Sequence, residues 1–223
     1  MNHKRVLALL SSYAIAMALL EAAVVVYMRR LYYPENPLEL FPLSFLDSYD
    51  PVLELSREAA TVVMILTVAL LAGQRTFTKR FAAFVFVFGM WDLFYYAWLK
   101  VLIDWPRSWL EWDVLFLIPS VWLGPWICPA AIALLFVVWG FLALAPTREA
   151  MSSREAVFTP HTAMLFAIGA GCGLVSFMQP AIANGYETLR DYRPGGFWWW
   201  LFAIGYLLMT AGLVLTLKRT KVV

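Results

Sequence analysis

The sequence predicts an all-α, polytopic integral membrane protein: six transmembrane helices in a single bundle, with a short interfacial helix near 105–113. Two observations predict this. The 223 residues are 62% hydrophobic and only 14% charged, with a mean hydropathy of +0.72. Soluble domains run about half apolar and a quarter charged, so water cannot be the only solvent. Six stretches are also mostly apolar over roughly the 20 residues needed to cross a hydrocarbon core. They lie at about 6–28, 52–72, 81–103, 119–145, 161–180 and 197–217, in one transmembrane domain covering 1–223.

The first stretch opens with His3-Lys4-Arg5, and Ala14-Ile15-Ala16 resembles a signal-cleavage site. The apolar run continues through Ala22-Ala23-Val24-Val25-Val26, too long for a signal core, and is read as a retained span. Between the third and fourth spans, Trp105, Trp109 and Trp112 recur at helical spacing. Asp104 would cap that helix and Pro106 would sit in its first turn. A tryptophan face opposed by Arg107 and Glu111 suits the headgroup region. Phe197-Trp198-Trp199-Trp200 marks a membrane boundary in the same way.

Pro119, Gly124-Pro125 and Pro129 punctuate the entry to the fourth span. Each proline removes a backbone donor, so a broken or re-entrant entry is expected. Such backbone survives at membrane depth only where protein or a cavity covers it. In the fifth span Gly169 and Gly173 form a small-x-x-x-small pair. That face suits close packing within the fold, against a partner subunit, or in a homo-oligomer.

Lysine and arginine in the short loops set the orientation. Lys4 and Arg5, then Arg75, Lys79 and Arg80, then Arg148 and Arg154, then Lys218, Arg219 and Lys221 all fall on one side. The other side carries Arg29, Arg30, Lys100, Arg107, Arg190 and Arg193, offset by Glu35, Glu39, Asp47, Asp50, Asp104, Glu111 and Asp113. The expectation is a cell (plasma or inner) membrane protein with both termini cytoplasmic.

A net charge of +2 gives no support to nucleic-acid binding. Cys128 and Cys172 sit in apolar runs without C-x-x-C spacing and read as small buried residues. His3 and His161 sit in a tail and at a span edge, so a haem held between two histidines has no support.

The informative feature is a set of ionisable residues inside spans, where each costs about 2.5–3.5 kcal/mol near a helix centre. Glu21 lies in the first span. Glu54, Arg57 and Glu58 share one face of the second, and Thr61 extends that face. Asp92, Tyr95, Tyr96 and Lys100 form a stripe on the third, and Asp113 follows. All map to one half of the membrane, the outer half on the orientation above. Within the spans four acids (Glu21, Glu54, Glu58, Asp92) face two bases (Arg57, Lys100), so pairing leaves carboxylates over. A surplus buried carboxylate takes a proton or binds a cation.

Glu21, Glu54, Arg57, Glu58, Asp92, Tyr95, Tyr96, Lys100 and Asp113, nine residues, are therefore the candidate site for a proton, a cation or a small polar ligand, in a transporter-like or enzyme-like protein. A carboxylate-bound divalent cation is compatible with the donor set. No residue is assigned a catalytic role. Two alternatives stand beside this reading. One is a non-catalytic accessory subunit of a larger membrane complex, such as a respiratory or redox assembly. The other is a lipid- or isoprenoid-modifying membrane enzyme. A purely structural ion network would also account for the cluster.

Overall fold

The computed structural model describes residues 3–41, 43, 50–74, 76–145, 156–184 and 191–217. Arg75, Arg148, Arg154, Arg190, Lys218, Arg219, Lys221 and Asp47, used above for orientation, lie outside the described residues. The elements run α1 (His3–Tyr32), α2 (Asp50–Leu71), α3 (Phe77–Ile103), β1 (Trp112–Phe116), β2 (Trp122–Pro125), α4 (Ile127–Leu144), α5 (Pro160–Asn184) and α6 (Trp199–Thr216).

All helices but α2 are long and apolar enough to cross a membrane. The protein is thus a helical membrane bundle. In α2 the interruption is Glu54, Arg57 and Glu58, all within its first half. Its second half exposes Val63, Leu66, Leu70 and Leu71, side chains that lipid accommodates and water does not.

α3 is the central helix. Ala82, Ala83 and Val87 on it are fully buried, as are Ala14 and Ala18 on α1, and the two helices pack through these small residues. Its other flank meets α4. A Cβ at Gly89 would stand 2.5 Å from the Ala133 carbonyl oxygen, and one at Gly140 would stand 2.8 Å from the Phe86 Cβ. Lipid supplies no hydrophobic force between helices, so this closeness is what dispersion has to work with. Trp139 of α4 reaches α6, donating to the Leu213 carbonyl and the Thr216 hydroxyl, both at 2.9 Å.

The glycine face of α5 is occupied by α6 of the same chain. A Cβ on Gly169 would lie 2.6 Å from the Gly205 carbonyl oxygen, and a Cβ on Gly205 would lie 3.0 Å from the Gly173 nitrogen.

No interfacial helix forms at 105–113, and Asp104 caps no helix start. Instead Asp104 ends α3 in the left-handed region (φ 55°), its N–H bonded back to the Lys100 carbonyl at 3.1 Å. Lys100 holds the Asp104 carboxylate at 2.7 Å and the Pro106 carbonyl at 3.0 Å. The Glu111 carboxylate then accepts from the Arg107 and Ser108 N–H groups at 2.5 and 3.2 Å, which folds the segment into a turn. The three tryptophans serve three different neighbours. Trp105 is buried against Tyr96, Trp109 stacks on Trp126, and Trp112 meets Tyr192 and Phe197.

The proline-punctuated entry resolves into an antiparallel hairpin of β1 and β2, and the fourth helix begins at Ile127 rather than near 119. The hairpin pairs Asp113 with Gly124 and Val114 with Leu123, with an irregularity before Phe116. Its own ladder and the surrounding protein satisfy a backbone that could not face lipid. Leu117, Val121 and Leu123 are buried against Ala181 of α5 and Leu43. Phe177 and Phe197 close on Gly124, where a Cβ would lie 3.1 Å from each ring.

Gly169→Ala should destabilise the bundle by about 1–3 kcal/mol, because a methyl group has no room against α6. Gly171→Ala, where nothing lies within 4 Å, should be neutral or up to about 1 kcal/mol stabilising. Thermal unfolding of the two variants in detergent checks this difference.

Candidate functional site

Three helices and the hairpin enclose one cavity. It holds about 860 Å³ of empty space, counting its open mouth. From α1 come Glu21, Val25, Met28, Arg29 and Tyr32, steps of three and four that place them on one helix face. From α2 come Glu54, Arg57, Glu58 and Thr61, again one face. α3 supplies Trp91, Asp92, Tyr95 and Tyr96. Residues 113–117 of the hairpin form the remaining wall, with Tyr33 and Leu40 beside them.

Eight of the nine residues singled out in the sequence line this cavity. Lys100 does not; it turns away to Asp104 and Pro106, half-exposed. Sequence reasoning missed Arg29, which it counted among the loop cations. α1 continues to Tyr32, so Arg29 is a helix residue two turns beyond Glu21 and on the same face. That spacing was the available signal. It also missed Tyr32, Tyr33 and Trp91, aromatic residues with no polar pattern to mark them.

The charges are connected. Arg57 bridges Glu21 of α1 and Glu54 of its own helix, with its Nε 2.9 Å from Glu54 Oε2. The Thr61 hydroxyl donates to Glu21. Glu58 is buried and its Oε2 accepts the backbone N–H of Leu117 at 2.8 Å, tying α2 to the hairpin. Arg29 donates to Asp113 Oδ1 at 3.3 Å, and both side chains are 3% exposed. The same guanidinium lies 4.1 Å over the Trp105 ring, whose face offsets part of its desolvation.

Burial pushes the Asp113 carboxyl up to about 6, while Arg29, the Val114 N–H and the Tyr96 hydroxyl pull the other way.

Asp92 differs from the rest. It sits near the middle of α3, lines the cavity, and makes no hydrogen bond or ion pair among the described residues. Asp92 is half-buried; the fully buried lining atoms without a hydrogen-bond partner among the described residues are Arg29 Nε and Nη1, Trp91 Nε1 and Asp113 Oδ2. Five carboxylates against two guanidiniums leave the lining with a formal excess of three negative charges. No three metal-binding side chains converge among the described residues.

No protein-family model, curated protein or solved structure matches this chain.

Two outcomes follow. Arg57→Met should cost about 3–5 kcal/mol by stranding two carboxylates, and adding Glu21→Gln should restore part of that loss; unfolding in detergent measures both. Asp113 titrates higher in the folded chain than its ordinary 3.8, so the folded state holds that proton more tightly. Its contribution is therefore present below about pH 4 and fades as pH rises through about 6. Asp113→Asn should flatten the stability-versus-pH curve across that window relative to wild type.

Proposed function

We propose that this protein binds a small cationic ligand, or exchanges a proton, in the α1–α3 cavity and moves it across the membrane as a transporter does. One observation carries the reading: Asp92, a mid-helix carboxylate without a partner, opens into a cavity with more acids than bases. Every other acid of the lining already has a donor: Arg57 for Glu21 and Glu54, Leu117 N–H for Glu58, Arg29 for Asp113. A half-buried mid-span carboxylate without such help gains stability when a proton or a cation joins it. The structural-network alternative accounts for the paired acids but leaves Asp92 without a role.

We further infer a cell membrane location with both termini cytoplasmic and the cavity toward the outer side. Lys4 and Arg5 at the start of α1, with Lys79 and Arg80 at the start of α3, support this orientation.

Infrared difference spectroscopy of the purified chain tests the reading. In wild type, a carboxyl band should respond to pH, or to added ammonium or metal salts. Asp92→Asn should remain monodisperse on gel filtration and lose that band. A folded Asp92→Asn protein with the wild-type response would overturn the proposal.

A further inference from the structure

Resting on that reading, the cavity also indicates which kind of cation it takes. We propose that the ligand is a small organic ammonium, paired with the Asp92 carboxylate and faced by the aromatic rings of α3.

A hard metal ion such as calcium or magnesium needs several oxygens converging at bonding distance. The acids around Asp92 do not supply them. Glu21 and Glu54 are engaged by Arg57, Glu58 by the Leu117 N–H and Asp113 by Arg29. Among the described residues, no group of three ligating side chains forms. Asp92, with only the unpaired Asp113 Oδ2 to add to it, is a poor metal site, whereas one carboxylate is what a single ammonium group requires.

The wall beside Asp92 is aromatic. Trp91 and Tyr95 lie with ring centroids 6.5 Å apart, and Tyr95 meets Tyr96 edge-on at 5.1 Å. All three line the cavity, as does Phe116 from the hairpin. Aromatic faces attract a desolvated ammonium through their quadrupole, and they do so best where water is scarce. They also suit the alkyl groups of an organic cation, which a hydrated inorganic ion lacks. Arg57 is committed to Glu21 and Glu54, and Arg29 gives Nη2 to Asp113 while its Nε and Nη1 stay without a hydrogen-bond partner among the described residues, so each guanidinium charge is set against lining carboxylates.

The ammonium could reach the site as a water-soluble amine or as a lipid headgroup. Both present the same chemistry to Asp92.

The test uses the full chain purified in a maltoside detergent, with binding read by tryptophan fluorescence and calorimetry. The probes are choline, ethanolamine, choline's uncharged carbon isostere, lysophosphatidylcholine, and calcium and magnesium chloride. At least one ammonium probe should bind in wild type, and the isostere should not compete. Asp92→Asn should weaken binding at least a hundredfold. Tyr95→Phe, which keeps the ring face, should retain affinity, whereas Tyr95→Leu should lose about tenfold. The tyrosine pair keeps the test decisive if Asp92→Asn fails to fold. Binding of choline or ethanolamine alone identifies a soluble amine; binding of the lysolipid alone identifies a headgroup. Either supports the proposal. Divalent ions binding at Asp92 with no ammonium binding would overturn it and leave the cation-site reading standing. A silent Asp92 in both this experiment and the infrared titration would remove both.

Discussion

The bridge from Arg57 to Glu21 and Glu54 is the interaction on which the bundle's polar half depends. α2 carries three charged groups within two turns, and its remaining surface is largely apolar and outward-facing. In lipid those charges have to turn inward and find partners. Glu21 supplies the partner from α1, and Thr61 closes the same pair from below. Without this link α2 would be held only by α3 and by the Glu58 bond to the hairpin, and one wall of the cavity would loosen. The site and the placement of a helix therefore share the same few residues.

The hairpin obeys the same rule for backbone that the ion network obeys for side chains. Its strands pair with each other, its apolar side chains bury against α5, and its Leu117 N–H goes to Glu58. Prolines that would break a membrane helix are harmless here, because little of this backbone asks for helical bonds. Protein covers one part of this irregular segment and the cavity the other, the condition under which such backbone survives beside lipid.

Much of this was legible in the sequence, and the reasons are physical. Spans declare themselves through length and apolarity, which lipid demands of each helix separately. Glu54, Arg57 and Glu58 declare a shared face because helical periodicity is fixed. Their meeting with Glu21 and Asp92 is tertiary, yet charge in an apolar medium narrows the choices enough to anticipate it. The hairpin was not legible. Trp105, Trp109 and Trp112 have helical spacing, but Glu111 and Lys100 bind the local backbone and fold it the other way. Arg29 was misplaced for a simpler reason: hydropathy ends α1 near residue 28, whereas the helix continues through Tyr32. Lys100 shared a stripe with Asp92 and Tyr96, but a nearer acid, Asp104, captured it.

The closure of Phe177 and Phe197 on Gly124 carries one more consequence. α5 and α6 contribute no described residue to the cavity lining, yet these two rings pin β2 to them. On the far side of the same hairpin, Asp113 of β1 holds Arg29 and Leu117, the residue after β1, holds Glu58. The hairpin is thus a mechanical linkage with one end clamped and the other forming a wall of the cavity. Any tilt of the α5–α6 pair would be delivered to the cavity wall through four residues, Gly124, Asp113, Leu117 and Glu58, so helices that line no part of the cavity would still set its shape.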